Sequence, residues 1–255
     1  MKAQLNTSPD TDSMAQAAAA YVAETVALSV AERGICVIGL SGNGTPPEFY
    51  RTLAQPPYST AIPWSQTHLF MGDERWVPFT DAQSNAGMIM RELTDKVPIP
   101  ESNLHFIQTQ EITPEASARQ HEAVLRSLLP MPGMPRIDIM LHALAPDGHT
   151  ASLEVGGSAY EERDHIEAAV THTWLPRVQD WRVTVTYALV CHARHILFVT
   201  NSDRRAAAVR KVFSPKLGDD PIPSAFVKAN DGTLVWFVDK DAASLVSGQN
   251  IDTGV

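Results

Sequence analysis

Two residues suited to acid–base chemistry, Asp147 and His149, stand two positions apart, directly after the apolar run 137–144. A neutral imidazole near physiological pH is a suitable general base for removing a proton from water, and a nearby carboxylate fixes its tautomer and raises its basicity. The spacing therefore favours His149 as the base with Asp147 as its partner. A histidine that only caps a turn is the alternative. Asp147 is the only other potential metal ligand close by and no Gly-x-Ser-x-Gly elbow is present, so we expect neither a metal site nor a serine nucleophile.

A glycine-bearing turn separates the apolar run 35–40 from a helix expected to begin near Pro47. The turn consists of Ser41, Gly42, Asn43, Gly44 and Thr45. Its glycines let backbone N–H groups approach an anion, and the two hydroxyls and the helix dipole add favourable donors. The glycine spacing matches neither the P-loop nor the dinucleotide fingerprint. The turn is thus either a phosphate cradle or a plain tight turn.

A charged triplet that begins at Asp73 and ends at Arg75 follows the apolar run 68–71. Charges at the end of a buried strand are costly unless they pair or meet a ligand. Arg75 is suited to bidentate phosphate binding, with Asp73 orienting it or contacting sugar hydroxyls, and an ion pair that fixes a loop is the alternative. Arg204, in the first turn of a later helix, is a further candidate for a phosphate.

Strand and helix patterns alternate along the chain, which predicts an α/β fold with a doubly wound, mostly parallel sheet and helices on both faces. Strands are expected over 35–40, 68–71, 137–144, 182–186, 195–199 and 234–238, and helices from 13 to a stop at Gly34, from 47, and over 84–93, 114–129 and 203–212. In such folds ligands bind outside the carboxyl ends of the strands, where all the candidates above lie.

Composition limits the class of protein. The chain has 255 residues and a formal net charge of -9, which suits one large domain and argues against a nucleic-acid surface. The polar segment 1–14 is expected to be a flexible lead-in to a single domain over 15–255. We expect no apolar run to approach the roughly 20 residues that cross a bilayer, and the two cysteines lack metal-ligand spacing. We therefore expect a cytoplasmic protein without membrane partners.

Several of these segments, in this order, resemble the 6-phosphogluconolactonase family, within the group that includes glucosamine-6-phosphate deaminases. The resemblance runs from about residue 35 to residue 238. It is carried by Leu40-Ser41-Gly42 with Thr45-Pro46, Gly72-Asp73-Glu74-Arg75 with Val77-Pro78, Asp81, Ser84-Asn85, Val97-Pro98-Ile99-Pro100, Asp147-Gly148-His149-Thr150-Ala151-Ser152-Leu153 and Arg182-Val183-Thr184.

The resemblance implies hydrolysis of 6-phosphoglucono-δ-lactone to 6-phosphogluconate in the oxidative pentose phosphate pathway, by a monomer or homodimer that needs no cofactor. It implies that His149 deprotonates water. Arg75, Arg204 and the turn that begins at Ser41 would hold the phosphate and the sugar, and Asp73 and Arg182 would be further pocket residues.

Four positions depart from the family pattern, and they keep two alternatives open. Asn43 alters the phosphate turn, Ala143 and Ala145 replace glycines before the Asp-Gly-His stretch, and Glu154 places a carboxylate near an anion site. These departures favour a weak or inactive sugar-phosphate-binding paralogue. A sugar-phosphate deaminase or isomerase is the other alternative, although the residues after His149 differ from the continuation typical of those enzymes.

Overall fold

The computed structural model describes residues 3–42, 45–165 and 167–246. Within these residues, seven strands form one sheet in which every neighbouring pair is parallel. Their spatial order is β1 (Gln4–Ser8), β10 (Thr233–Asp239), β9 (His195–Thr200), β6 (Ile139–His142), β2 (Cys36–Leu40), β3 (Thr67–Met71) and β5 (Leu104–His105). All five residues of β2 are buried, as its continuous apolar run predicts.

A second, smaller sheet extends from the end of β3. It contains β4 (Asp73–Arg75), β8 (Asp180–Val185) and β7 (Val170–Leu175), paired antiparallel in that order. Only Gly72 separates β3 from β4, and its N–H donates to the carbonyl oxygen of Leu40. The charged triplet after β3 is therefore held as a strand at the edge of the main sheet.

Helices connect the strands. They are α1 (Thr11–Arg33), α2 (Pro47–Leu53), α3 (Tyr58–Ala61), α4 (Asn85–Glu92), α5 (Pro114–Leu128), α6 (Ser158–Glu161), α7 (Tyr187–His192) and α8 (Ala206–Phe213). Short 3₁₀ helices span Trp64–Gln66, Thr94–Lys96, Glu101–Asn103, Asp203–Arg205 and Pro223–Phe226. Side chains that favour helix starts accept backbone N–H groups at α1, α4 and α5, namely Asp10, Ser84 and Thr113.

The expected doubly wound α/β fold is confirmed, and its chain order locates a crevice. From β2 the chain adds β3 and β5 on one side, then returns to place β6 on the other side of β2. At such a switch point the loops leaving two adjacent strands diverge and open a crevice at their carboxyl ends. The loops after β2 and β6 carry Ser41 and His149, so the two candidate segments meet there.

Three expectations need correction. In the segment 1–14, which was expected to be a flexible lead-in, β1 pairs along its length with β10 and α1 begins at Thr11. The expected helix 203–212 begins as a 3₁₀ turn and becomes α-helical only at Ala206. Helix α1 is long and apolar enough to cross a membrane by length and composition, although half of that stretch is buried against the rest of the protein.

Candidate functional site

A cleft of about 230 Å³ opens at the carboxyl ends of β2, β3 and β6. It is lined by Ser41, Gly42, Asp73, Arg75, Asn85, Ala143, Ala145, Pro146, His149, Thr150, Ala151 and Arg205. The structure thus brings together five of the residues predicted from the sequence, which are Ser41, Gly42, Asp73, Arg75 and His149. The cleft lies at the switch point of the sheet, where the fold predicts ligand binding.

His149 is oriented by Asp147. Its Nδ1 lies 2.7 Å from Asp147 Oδ1, and its backbone N–H donates to the same oxygen over 3.1 Å. The hydrogen bond from His149 is the main reason that the pKa of Asp147 is lowered to about 2. An ionised carboxylate only accepts hydrogen bonds, so in the neutral imidazole Nδ1 carries the proton and Nε2 has the free lone pair. This is the tautomer that a general base requires.

The loop that carries His149 is held in a tight conformation. Gly148 has a φ of 90°, and a Cβ atom there would lie 2.5 Å from Ile222. The backbone N–H of Ala145 donates to the carbonyl oxygen of His149 over 2.9 Å. Behind the loop, Thr150 Oγ1 lies 2.9 Å from Nδ1 of the buried His142. These contacts fix where the imidazole of His149 enters the cleft.

Asp73 and Arg75 each have a partner other than the one expected. Asp73 is buried and accepts a hydrogen bond from Ser152 Oγ over 2.8 Å. Arg75 donates to Asn85 Oδ1, and the Asn85 amide nitrogen donates to the carbonyl oxygen of Asp73 over 2.8 Å. Among the described residues no ion pair joins Asp73 to Arg75, and their side chains bond to Ser152 and Asn85 instead. Asn85 is therefore the residue that holds Arg75.

Glu74 anchors this arrangement from beneath. It is fully buried, and its carboxylate accepts the backbone N–H groups of Arg75, Asn85 and Ala86 and the hydroxyl of Ser84. Burial raises its pKa, while the backbone hydrogen bonds oppose that change. A carboxylate at the start of α4 also suits the positive end of the helix dipole. Glu74 thus joins the charged strand to the helix that presents Asn85.

The turn after β2, a candidate phosphate site, is described only in part. Ser41 Oγ accepts the backbone N–H of Ala143 over 3.1 Å, which ties the loops after β2 and β6 together. A Cβ on Gly42 would lie 1.9 Å from the Asn85 side chain, so only glycine fits that approach. Thr45 is completely buried and does not line the cleft. Asn43 and Gly44 lie outside the described residues.

Two predicted arginines lie elsewhere. Arg204 is exposed and does not line the cleft, whereas the next residue, Arg205, does. The 3₁₀ turn at the start of this helix rotates Arg205 toward the sheet, where its Nε donates to the carbonyl oxygen of Leu144 over 2.7 Å. Arg182 does not line the cleft either, since its guanidinium pairs with Asp180 over 2.5 Å.

The family departures have different consequences. Ala143 and Ala145, which the sequence predicted to depart from the family pattern, both line the cleft. Glu154 does not line the cleft. Its nearly buried carboxylate forms a bidentate pair with Arg177, with distances of 2.6 and 2.9 Å. The negative charge that would oppose an anion is therefore neutralised by Arg177.

Sequence reasoning missed Asn85 and Arg205 as site residues. Asn85 was part of the family resemblance, but nothing in its type indicated that it would hold an arginine. Its position directly after Ser84, a helix-capping residue, was the available signal, because the first turn of a helix at a strand end faces the cleft. For Arg205 the available signal was only its adjacency to Arg204.

The fold and this cleft define a doubly wound α/β protein with a histidine–aspartate pair and two arginines at its switch point. The model of the family described as glucosamine-6-phosphate isomerases/6-phosphogluconolactonase matches residues 9–236. The chain belongs to this family.

Individual relatives agree with the family match. The rice protein (Oryza sativa subsp. indica) named probable 6-phosphogluconolactonase 3, chloroplastic, is 35% identical over 243 residues, which cover 92% of this chain and 73% of that protein. The Synechocystis 6-phosphogluconolactonase is 32% identical over 223 residues, or 87% of this chain and 89% of that one. The crystal structure of a Thermotoga maritima 6-phosphogluconolactonase superposes with a TM-score of 0.78 at 26% identity, covering 94% of this chain and all of that one.

Proposed function

We propose that this protein hydrolyses 6-phosphoglucono-δ-lactone to 6-phosphogluconate, with His149 activating the water. The observation that carries the proposal is the Asp147–His149 pair, which leaves the Nε2 lone pair of an imidazole in a cleft that also contains Arg75 and Arg205. A base beside two guanidinium groups suits a substrate with an electrophilic carbonyl and a remote phosphate. The named activities of the relatives support the same reaction.

The reaction needs one proton acceptor that later becomes a donor. His149 Nε2 takes a proton as the water oxygen bonds to the lactone carbonyl carbon, forming a tetrahedral intermediate. When that intermediate collapses, the bond to the ring oxygen breaks, and the ring oxygen takes the proton from His149. The new carboxylic acid then releases its proton to solvent. Asp147 stabilises the positively charged imidazole between the two steps.

The phosphate is held by Arg75 and Arg205, with the turn that follows Ser41. Guanidinium groups bind phosphate through charge-assisted, bidentate hydrogen bonds. Asn85 keeps Arg75 pointed into the cleft, and binding energy from the phosphate places the carbonyl near His149. Asp73, held by Ser152, contacts the sugar hydroxyls.

A sugar-phosphate-binding protein with little turnover is a second candidate, favoured by Ala143 and Ala145 in the cleft wall. For the enzyme itself we propose a single domain that includes β1 and all of α1. We propose that it works in the cytoplasm as a monomer or homodimer, without a cofactor, metal or membrane partner.

The test is hydrolysis of freshly generated 6-phosphoglucono-δ-lactone, corrected for spontaneous opening, beside the unphosphorylated glucono-δ-lactone. We expect rapid turnover of the first and a kcat/KM at least about 100-fold lower for the second, since the phosphate positions the carbonyl. No acceleration, together with tight binding of 6-phosphogluconate, would favour the binding protein. Ammonia release from glucosamine 6-phosphate would instead favour the deaminase reaction.

A further inference from the structure

A second cavity, of about 560 Å³, lies away from the cleft between α4, β5 and α5. None of the residues that line it also lines the cleft. Its volume exceeds that of the cleft and lies within the range typical of small-molecule sites. The lactonase reaction proposed above uses no residue that lines this cavity, so the residues of the cavity need a separate explanation.

The two histidines that line the cavity, His105 and His121, carry no charge. His121 is buried, and its Nε2 donates to the carbonyl oxygen of Met71 over 2.8 Å, so Nδ1 is an unprotonated acceptor. Burial lowers the pKa of His121 to about 3. His105 lies beside it, and burial lowers its pKa to about 4. Both imidazoles are therefore neutral at physiological pH.

The walls are aromatic and the rim is acidic. Phe79 and Phe106 meet edge to face, with ring centroids 6.0 Å apart, and both line the cavity. Asp95 and Glu101 are exposed at its edge. Among the described residues that line the cavity there is neither lysine nor arginine. The nearby Lys96 is an ion-pair partner of Glu92, outside the lining.

We propose that this cavity is a binding site for a small organic cation that carries a ring. The ring packs against Phe79 and Phe106, and the cationic group lies between the carboxylates of Asp95 and Glu101. Opposite charge at the rim favours such a ligand, and aromatic faces attract cations as well as apolar rings. The same carboxylates repel phosphorylated sugars, so the cavity is not a second copy of the substrate site.

Benzylamine and benzoate test the inference, because they share a ring and differ in charge. Each is titrated into ¹⁵N-labelled protein while amide chemical shifts are followed. We expect benzylamine to bind with a Kd of about 1 mM, a value typical of a small fragment, and to shift amides of α5 and β5. Benzoate should bind at least about tenfold more weakly. The double variant Asp95→Asn, Glu101→Gln should lose this preference for the amine.

A matched pair of variants on α5 locates the site. Val124 lines the cavity, and the neighbouring Ala123 is exposed and does not. Val124→Trp should abolish benzylamine binding, and Ala123→Trp should leave it unchanged. If thermal melting shows that Val124→Trp does not fold, Gln120→Trp at the exposed rim serves the same purpose.

Three results would overturn the inference. They are absence of benzylamine binding up to about 10 mM, equal affinity for benzoate, and undiminished binding in a folded variant whose cavity is filled. No lactone is present in these titrations, so their outcome is independent of the proposed hydrolysis.

Discussion

Asp147→Asn tests how much the carboxylate beside His149 contributes. The pKa of Asp147 falls from 3.8 to about 2, chiefly through its hydrogen bond with His149, which corresponds to about 2 kcal/mol. The side chain is 52% exposed, so solvent screening reduces this value to about 1 kcal/mol. The amide in Asp147→Asn also holds the correct tautomer of His149 less well, so we expect kcat to fall about 5- to 50-fold. A buried aspartate in the same role contributes far more, about 10⁴-fold in a serine protease triad.

The assay is initial-rate hydrolysis of the fresh phosphorylated lactone, with kcat and KM determined separately. KM should change less than about threefold, because Asp147 does not line the cleft that we propose holds the phosphate. Asp180→Asn is the matched control, since Asp180 also pairs with a basic side chain but lies outside the cleft. Its kcat should stay within about twofold of the parent. An unchanged kcat in Asp147→Asn, or a loss beyond about 10³-fold, would refute this reasoning.

Three further predictions concern the cleft and the buried carboxylate that supports it. Arg205→Ala should raise KM about 10- to 100-fold, because it removes a guanidinium group that we propose binds the phosphate. Arg204→Ala should change KM less than twofold, and comparable effects of the two variants would contradict the assignment of Arg205. Glu74→Gln should lower the free energy of unfolding, measured in urea, by about 2–4 kcal/mol. Each carboxylate oxygen of Glu74 accepts two hydrogen bonds, so an amide NH₂ in either orientation would face two donors. A decrease below about 0.5 kcal/mol would contradict this. Gly42→Ala should raise KM at least about tenfold by displacing Asn85 from Arg75, and a parental KM would show that the turn tolerates a side chain.

The sequence predicted the central strands and their loops well, because buried parallel strands are continuous apolar runs. Strands β2, β3, β6 and β9 fall within two residues of their expected bounds, and the residues after them line the cleft. The position of His149 beside Asp147 followed directly from their spacing.

Other features could not be predicted from local patterns. Strand β1 lies at the edge of the main sheet and its residues are only partly buried. Its sequence is therefore polar and lacks the apolar run that marks a central strand. Strand β4 is a charged triplet whose pairing with β8 depends on tertiary contacts. Whether Arg204 or Arg205 faces the cleft depends on a single 3₁₀ turn, which changes the direction of successive side chains. The amino-acid composition of this segment does not indicate that turn. Burial of Glu74 likewise depends on where α4 begins.

The most direct test of the account is the rate of lactone hydrolysis by His149→Ala. A general base contributes about 10²- to 10⁴-fold, so we predict that kcat falls by at least about 100-fold while the affinity for 6-phosphogluconate, measured calorimetrically, stays within about threefold. A variant that keeps more than about a tenth of the parental kcat would contradict the assignment of His149 as the residue that activates water.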